Sequence, residues 1–153
     1  MALNWVEEAQ LRNFKVGSIV YTWCDFCTPA KNKYLLVASL EPNFLILVIN
    51  SVINQFYISN GLDRFHVLIS LEDHPFLEHD SHASCVEAIE SFDVSFMRAE
   101  VLENYKKFHR GHLSTRCLKD VFDAVVEQDI MRQGQKDEIV ASIKAQLCMS
   151  LFN

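Results

Sequence analysis

Three apolar runs follow one another in the first third of the chain: VGSIVYTW at 16–23, KYLLVASL at 33–40 and FLILVIN at 44–50. Each is rich in β-branched and aromatic side chains, and each falls far short of the roughly 20 apolar residues that a membrane-crossing helix needs. Runs of that length read as buried strands, here separated by a loop holding Thr28 and Pro29 and by the turn-forming Glu41-Pro42-Asn43. QFYI at 55–58 and RFHVLIS at 64–70 flank Ser59-Asn60-Gly61, which predicts a hairpin around Asn60-Gly61. Five short strands at such close intervals predict a small, strongly bent antiparallel barrel or sheet.

The second half changes period. HASCVEA at 82–88 reads as a further strand, leading through IESFD into helices. Met97, Val101, Tyr105 and Phe108 recur at helical spacing and predict one continuous helical face. Ser114 is an N-cap candidate for a helix whose apolar stripe is Leu118, Val121, Phe122, Val125 and Ile130, with Gly134 placed to end it. A last helix carries Ile139, Val140, Ile143, Leu147 and Leu151, and a short N-terminal one carries Leu3, Val6 and Gln10. Strands first and helices last is an α+β order with the helices on one side of the sheet, within a single domain spanning 1–153: a β core over about 14–93 and a helical part over 94–153. A length of 153 residues with 50% hydrophobic content suits one core.

The formal charge of -6, from twenty acidic and fourteen basic residues, is the reverse of what nonspecific coating of nucleic acid needs, so any nucleic-acid site must be local. The basic residues do cluster. Lys31 and Lys33 form one group; Lys106, Lys107 and Arg110, with His109 and His112, form another within YKKFHRGH. The start of the chain carries two glutamates and lacks a basic stretch leading into an apolar one, so a cytoplasmic location with no membrane anchor is expected, and with it five reduced cysteines.

Several chemistries find no footing. Cys24 and Cys27 form a CDFC, but Cys85, Cys117 and Cys148 stand alone, leaving no second pair to complete a zinc site, and the pair ends a strand instead of opening a helix as a redox pair does. His74, His79 and His82 are spaced irregularly across Pro75, which gives no shared face for a metal. Neither a GxGxxG nor a GK[ST] motif occurs, and neither does GxSxG. No cofactor and no metal are therefore expected.

What remains is cationic and hydroxylic. If the strands at 33–40 and 44–51 run up and back around the EPN turn with equal length, Lys33 lies beside Ser51, with Asn50 next to it. A cation and a hydroxyl then face one phosphate. Polar strand ends facing solvent are the alternative on these residues alone.

KVGSIVYTW, a loop, KYLLVASL and LILVINS resemble, in that order, the opening elements of the MazF, PemK and Kid toxin ribonucleases. LEHDSHASCVEAIESFD is similar to that family's acidic "ERDS…LEQIRTID" segment, and GHLSTRCLKDVFDAVVEQ looks like its approach to the terminal helix. The resemblance runs from about Phe14 to the terminal helices, most of the chain. It implies an SH3-like, strongly curved antiparallel barrel of PemK type, a homodimer held in check by an antitoxin protein, and cleavage of single-stranded RNA without metal. The family's catalytic arginine falls on Lys33, a departure; its threonine falls on Ser51; its acidic position falls on Glu87, with one extra residue between Asp80 and Asp93. Asp80 is assigned to holding a turn.

Metal-free RNA cleavage needs a base for the ribose 2′-hydroxyl, a cation for the phosphate and an acid for the leaving oxygen. Lys33 and Ser51 would then attend the phosphate and His82 or Glu87 would carry protons. Lys31 would add a phosphate contact, and Lys106, Lys107 and Arg110 would guide the strand unless they serve only a helix C-terminus. Lysine in place of arginine loses bidentate phosphate recognition, so a non-catalytic relative that holds RNA or a protein partner uncut is the second expectation.

Overall fold

β1 (Ser18–Cys24), β2 (Lys31–Ser39) and β3 (Leu45–Asn50) form an antiparallel meander whose residues alternate between two buried faces. In this computed structural model, which describes residues 2–150, Ile19, Leu36, Leu45 and Leu47 enter one core, whereas Val20, Leu35, Val37 and Ile46 enter another. A strand buried on both sides has no polar alternation, which is why these segments read as unbroken apolar runs. β4 (His66–Ile69) and β5 (Ser81–Ser84) extend the sheet on one side and β6 (His109–His112) on the other. The result is one six-stranded, all-antiparallel, curled half-barrel in the order β4-β5-β3-β2-β1-β6.

Helices cover both faces. α5 (Thr115–Glu127) and α6 (Gln133–Ser150) pack together against the first core through Leu118, Val121, Val125, Ile139 and Ile143. The second core is closed by α3 (Val94–Glu103) and α4 (Tyr105–Phe108), which supply Met97, Val101 and Phe108. α1 (Trp5–Asn13) lies over α3 and buries no residue of its own; its start is fixed by a reciprocal cap in which Asn4 and Glu7 serve each other's backbone N–H.

Five expectations are corrected. The helices that follow the strands pack on both faces of the sheet, α5 and α6 on one and α3 and α4 on the other, instead of on one side, because the meander is apolar on both. Gln55–Ser59 is a short helix, α2, because Asn54 caps it by accepting from Phe56 N at 2.8 Å; Asn60 and Gly61 (φ +70°) end that helix instead of turning a hairpin. β4 pairs with β5, not with 55–58. The face carrying Met97, Val101, Tyr105 and Phe108 is broken at Asn104 (φ -136°), dividing it into α3 and α4, and the basic stretch that follows is a strand. α5 ends at Glu127, where the buried Gln128 side chain accepts from the backbone of Ile130 and Met131; Gly134 lies in the first turn of α6 and Ile130 is exposed. Leu151 lies outside the described residues.

Candidate functional site

The β2–β3 register decides what Lys33 meets. Near the turn Ser39 pairs with Leu45, the pairing that equal strands would give. A bulge between Val37 and Ser39 then puts one extra residue into β2, so that Val37 meets Ile46 and Leu35 meets Val48. Continued along the same face, Lys33 stands opposite Asn50, and its ammonium donates to the Asn50 carboxamide oxygen. The expected Lys33–Ser51 pairing is thus shifted by one residue. Ser51 stands next to Asn50, exposed at the strand end.

Asn50 in turn lies opposite His82 on β5, and His82 opposite Leu68 on β4. One step along the same face, His66 lies opposite Ser84. Directly opposed residues place their Cβ atoms about 5 Å apart, so Lys33, Asn50 and His82 form a row across three strands with Ser84 and His66 in the adjoining row. α2 crosses this end of the face, its Tyr57 ring 4.7 Å from the His66 ring.

Between α2 and the loop that follows β1 lies an open cavity of about 660 Å³. Lys33, Val48, Asn50 and Ser84 form its wall, and Phe26, Cys27, Tyr57 and Glu87 its rim. Burial lowers the Lys33 pKa, with Lys31 pushing the same way and the thiols of Cys27 and Cys24 opposing. Burial raises the Tyr57 pKa, helped by Glu87. The Ser84 hydroxyl pulls weakly the other way, at a geometry short of a hydrogen bond.

Three further cavities join this one by shared walls. Lys33 and Asn50 also line a space of about 360 Å³ with Lys31, Ser51, Tyr34 and His79. Tyr21 and Asn32 connect that space to one of about 470 Å³ holding Lys107 and Arg110. In the other direction, Tyr57 and Glu87 are shared with a cavity of about 600 Å³ that reaches Arg132 and Phe56. Arg110 is held on an aromatic pair, its guanidinium 4.7 Å from the Tyr21 ring centre and 6.0 Å from that of Tyr34, while its Nε donates to the Lys107 carbonyl at 2.7 Å. The track thus brings together Lys31, Lys33, Asn50, Ser51, Glu87, Lys107 and Arg110. Lys106 is exposed on α4 and lines none of these four cavities; His82 stands behind Asn50 in the wall.

The other histidines disperse. His74 is buried, its Nδ1 donating to the Ser70 carbonyl at 2.9 Å while its Nε2 accepts from Ser114 N at 3.0 Å, so it secures the start of α5. Asp80 accepts from Leu71 N at 2.8 Å and holds that loop. His109 and His112 sit under α1: His109 Nε2 lies 3.0 Å from Ser18 Oγ, and His112 Nε2 donates to the Asn13 carbonyl at 2.8 Å. Burial, with His112 beside it, pushes the His109 pKa down to about 4.

Tyr57, Ser84, His66 and Arg132 did not emerge as site residues from the sequence. Reading 55–58 as a strand hid Tyr57, but the alternation in HASC and FHVL already puts His82 with Ser84, and His66 with Leu68, on one face. Comparison with protein-family models, with curated proteins and with solved structures returns no match for this chain.

Proposed function

We propose that the chain is a metal-independent endoribonuclease of the MazF, PemK and Kid kind, cleaving single-stranded RNA in the track that runs from Arg110 past Lys33 to Arg132. The observation that carries this reading is the position of Lys33: its ammonium stands where two cavities meet, with the exposed strand end at Ser51 on one side and Glu87 on the other. An extended polyanion laid along joined cavities would meet Lys107, Arg110, Lys31, Lys33 and Arg132 in turn, with Tyr21, Phe26, Tyr57 and Phe56 offering faces for bases. The curled antiparallel sheet is compatible with the SH3-like barrel that the family resemblance implies. A homodimer, a cytoplasmic location and an antitoxin that competes for the same track complete the proposal; among the described residues no helix is long and apolar enough to cross a membrane.

A second reading has one observation in its favour. The Lys33 ammonium is engaged by Asn50, which, with a lysine standing where the family carries arginine, suits a track that holds RNA or a protein without cutting it. Incubation of the purified protein with mixed-sequence RNA in excess chelator separates the two. New ends bearing 2′,3′-cyclic phosphate support the nuclease, and Lys33→Ala should then lower the rate roughly 100- to 1000-fold. RNA retained intact over long incubation supports the binding module and removes the nuclease.

A further inference from the structure

Three buried polar atoms lack a hydrogen-bond partner among the described residues, His66 Nε2, His82 Nδ1 and Ser84 Oγ; Ser84 lines the central cavity, and the two histidines lie behind it, beneath Tyr57 and beside Asn50. Buried polar atoms are nearly always paired, so three orphans together call for a physical reason. They are neighbours by construction, since His66 and Ser84 are directly opposed across β4 and β5 while His82 and Ser84 are two residues apart on one face of β5. Ser84 is 5% exposed and lines the cavity that Lys33 and Asn50 also line.

The chemistry of His66 is fixed by its other nitrogen. Nδ1 lies 3.0 Å from the Leu62 carbonyl, which can only accept, so Nδ1 carries the proton and Nε2 presents a bare lone pair among the orphans. α2 stands over this group through Tyr57, whose ring lies 4.7 Å from that of His66. It has five residues, buries none of its side chains, leaves Phe56 and Ile58 exposed, and is followed by Gly61 in the left-handed region, where a chain can redirect at little cost.

We propose that His66 and His82 are the proton-transfer pair of this site, with Ser84 orienting the ribose and Tyr57 a cover that lifts as RNA enters. The inference rests on the endoribonuclease reading and deepens it. His66 Nε2 takes the proton of the 2′-hydroxyl as the 2′-oxygen bonds to phosphorus. The bond from phosphorus to the 5′-oxygen breaks, and the proton on Nδ1 of the His82 imidazolium passes to that leaving oxygen. Lys33, beyond Asn50 in the same row, faces the phosphate oxygens. The products are a 2′,3′-cyclic phosphate and a 5′-hydroxyl; His66 ends protonated and His82 neutral, and exchange with water resets both.

Burial lowers the His66 pKa, opposed by the Leu62 carbonyl and Asp63 and reinforced by His82, which favours the unprotonated base. The other titratable groups around the pair are Tyr57 on α2, Asp63 in the turn after it, and Glu87 beside Tyr57. Cleavage that needs one histidine without its proton and the other with it gives a rate that rises and then falls with pH.

The test is the pH–rate profile of RNA cleavage for the wild type, His66→Gln and His82→Gln. The expected result is a bell for the wild type, loss of its acid limb in His66→Gln, loss of its alkaline limb in His82→Gln, and a rate drop of roughly 100-fold or more in each. Should a variant not fold, ¹⁵N spectra of the wild-type histidines titrated with a 2′-deoxy oligonucleotide replace it: movement of the His66 Nε2 and His82 Nδ1 resonances is expected, and unmoved resonances overturn the proposal. Wild-type cleavage with both variants keeping its profile overturns the histidine pair and leaves the nuclease standing. No cleavage by the wild type overturns both.

Discussion

The two faces of the sheet are made by neighbouring residues of the same strands, and they are finished in different ways. On the face under α5 and α6, Leu36, Leu45, Leu47 and Ile49 join helical side chains in one core, which gives way to a smaller cavity only at Tyr21, Tyr34 and the edge of Ile49. On the opposite face the apolar packing under α3 and α4 stops near Val48, and the strands continue into Lys33, Asn50, His82 and Ser84. One face serves cohesion over most of its length. The other is a core for half its length and a cleft for the rest, so the same alternation that buries a leucine exposes a lysine two strand steps further on.

The sharpest way to break this contrast is to truncate adjacent residues of β3. Leu47 is fully buried and Leu47→Ala should cost about 3 kcal/mol of unfolding free energy, within the range for leucine truncations in cores. Val48 borders the cavity, and Val48→Ala should cost less than about 1 kcal/mol because no closed void is left behind. Denaturant melts of the two variants measure both; equal losses would mean that the faces do not differ.

A pH titration sharpens the boundary on the covered half. His109 holds its proton less tightly when folded, at about 4, than an ordinary histidine at 6.5, because burial and His112 disfavour the charge. The unfolded chain therefore binds more protons between those values. Stability should be full above pH 6.5, fall as pH drops through the window and level off below 4, by on the order of 3 kcal/mol. Urea melts across that range check it, and His109→Phe should flatten the curve.

The smallest effect tests the register. If the chain is the endoribonuclease proposed above, Asn50→Ala should slow RNA cleavage roughly tenfold by freeing the Lys33 ammonium from its fixed position, and Ser51→Ala should change it less than about twofold. The reverse order would return Ser51 to the place opposite Lys33.

What the sequence conveyed follows the same division. β1, β2, β3 and the stripe of α5 were legible because their burial is continuous and their periods are unmixed. α2 was not, since QFYI has strand composition and its helix is decided by one asparagine side chain just before it. Lys33, Asn50 and Glu87 could be singled out as chemical groups, and all three line one cavity. Their true neighbours could not, because a bulge is a matter of one residue and leaves no mark in composition. His66 and Tyr57 come from segments whose ordinary side chains gain meaning only when β4 docks on β5 beneath α2.

That bulge is itself held from a distance. Glu138 on α6 accepts from Ser39 Oγ at 2.8 Å and from Asn43 Nδ2 at 2.9 Å, while Ser142 Oγ donates to Ser39 Oγ at 3.0 Å. A hairpin without its extra residue would slide into the alternative frame, and every side chain of β2 beyond it would change sides relative to β3. A carboxylate on the last helix thereby pins the turn end of that hairpin, so a change at Glu138 bears on a cleft in which no residue has been altered.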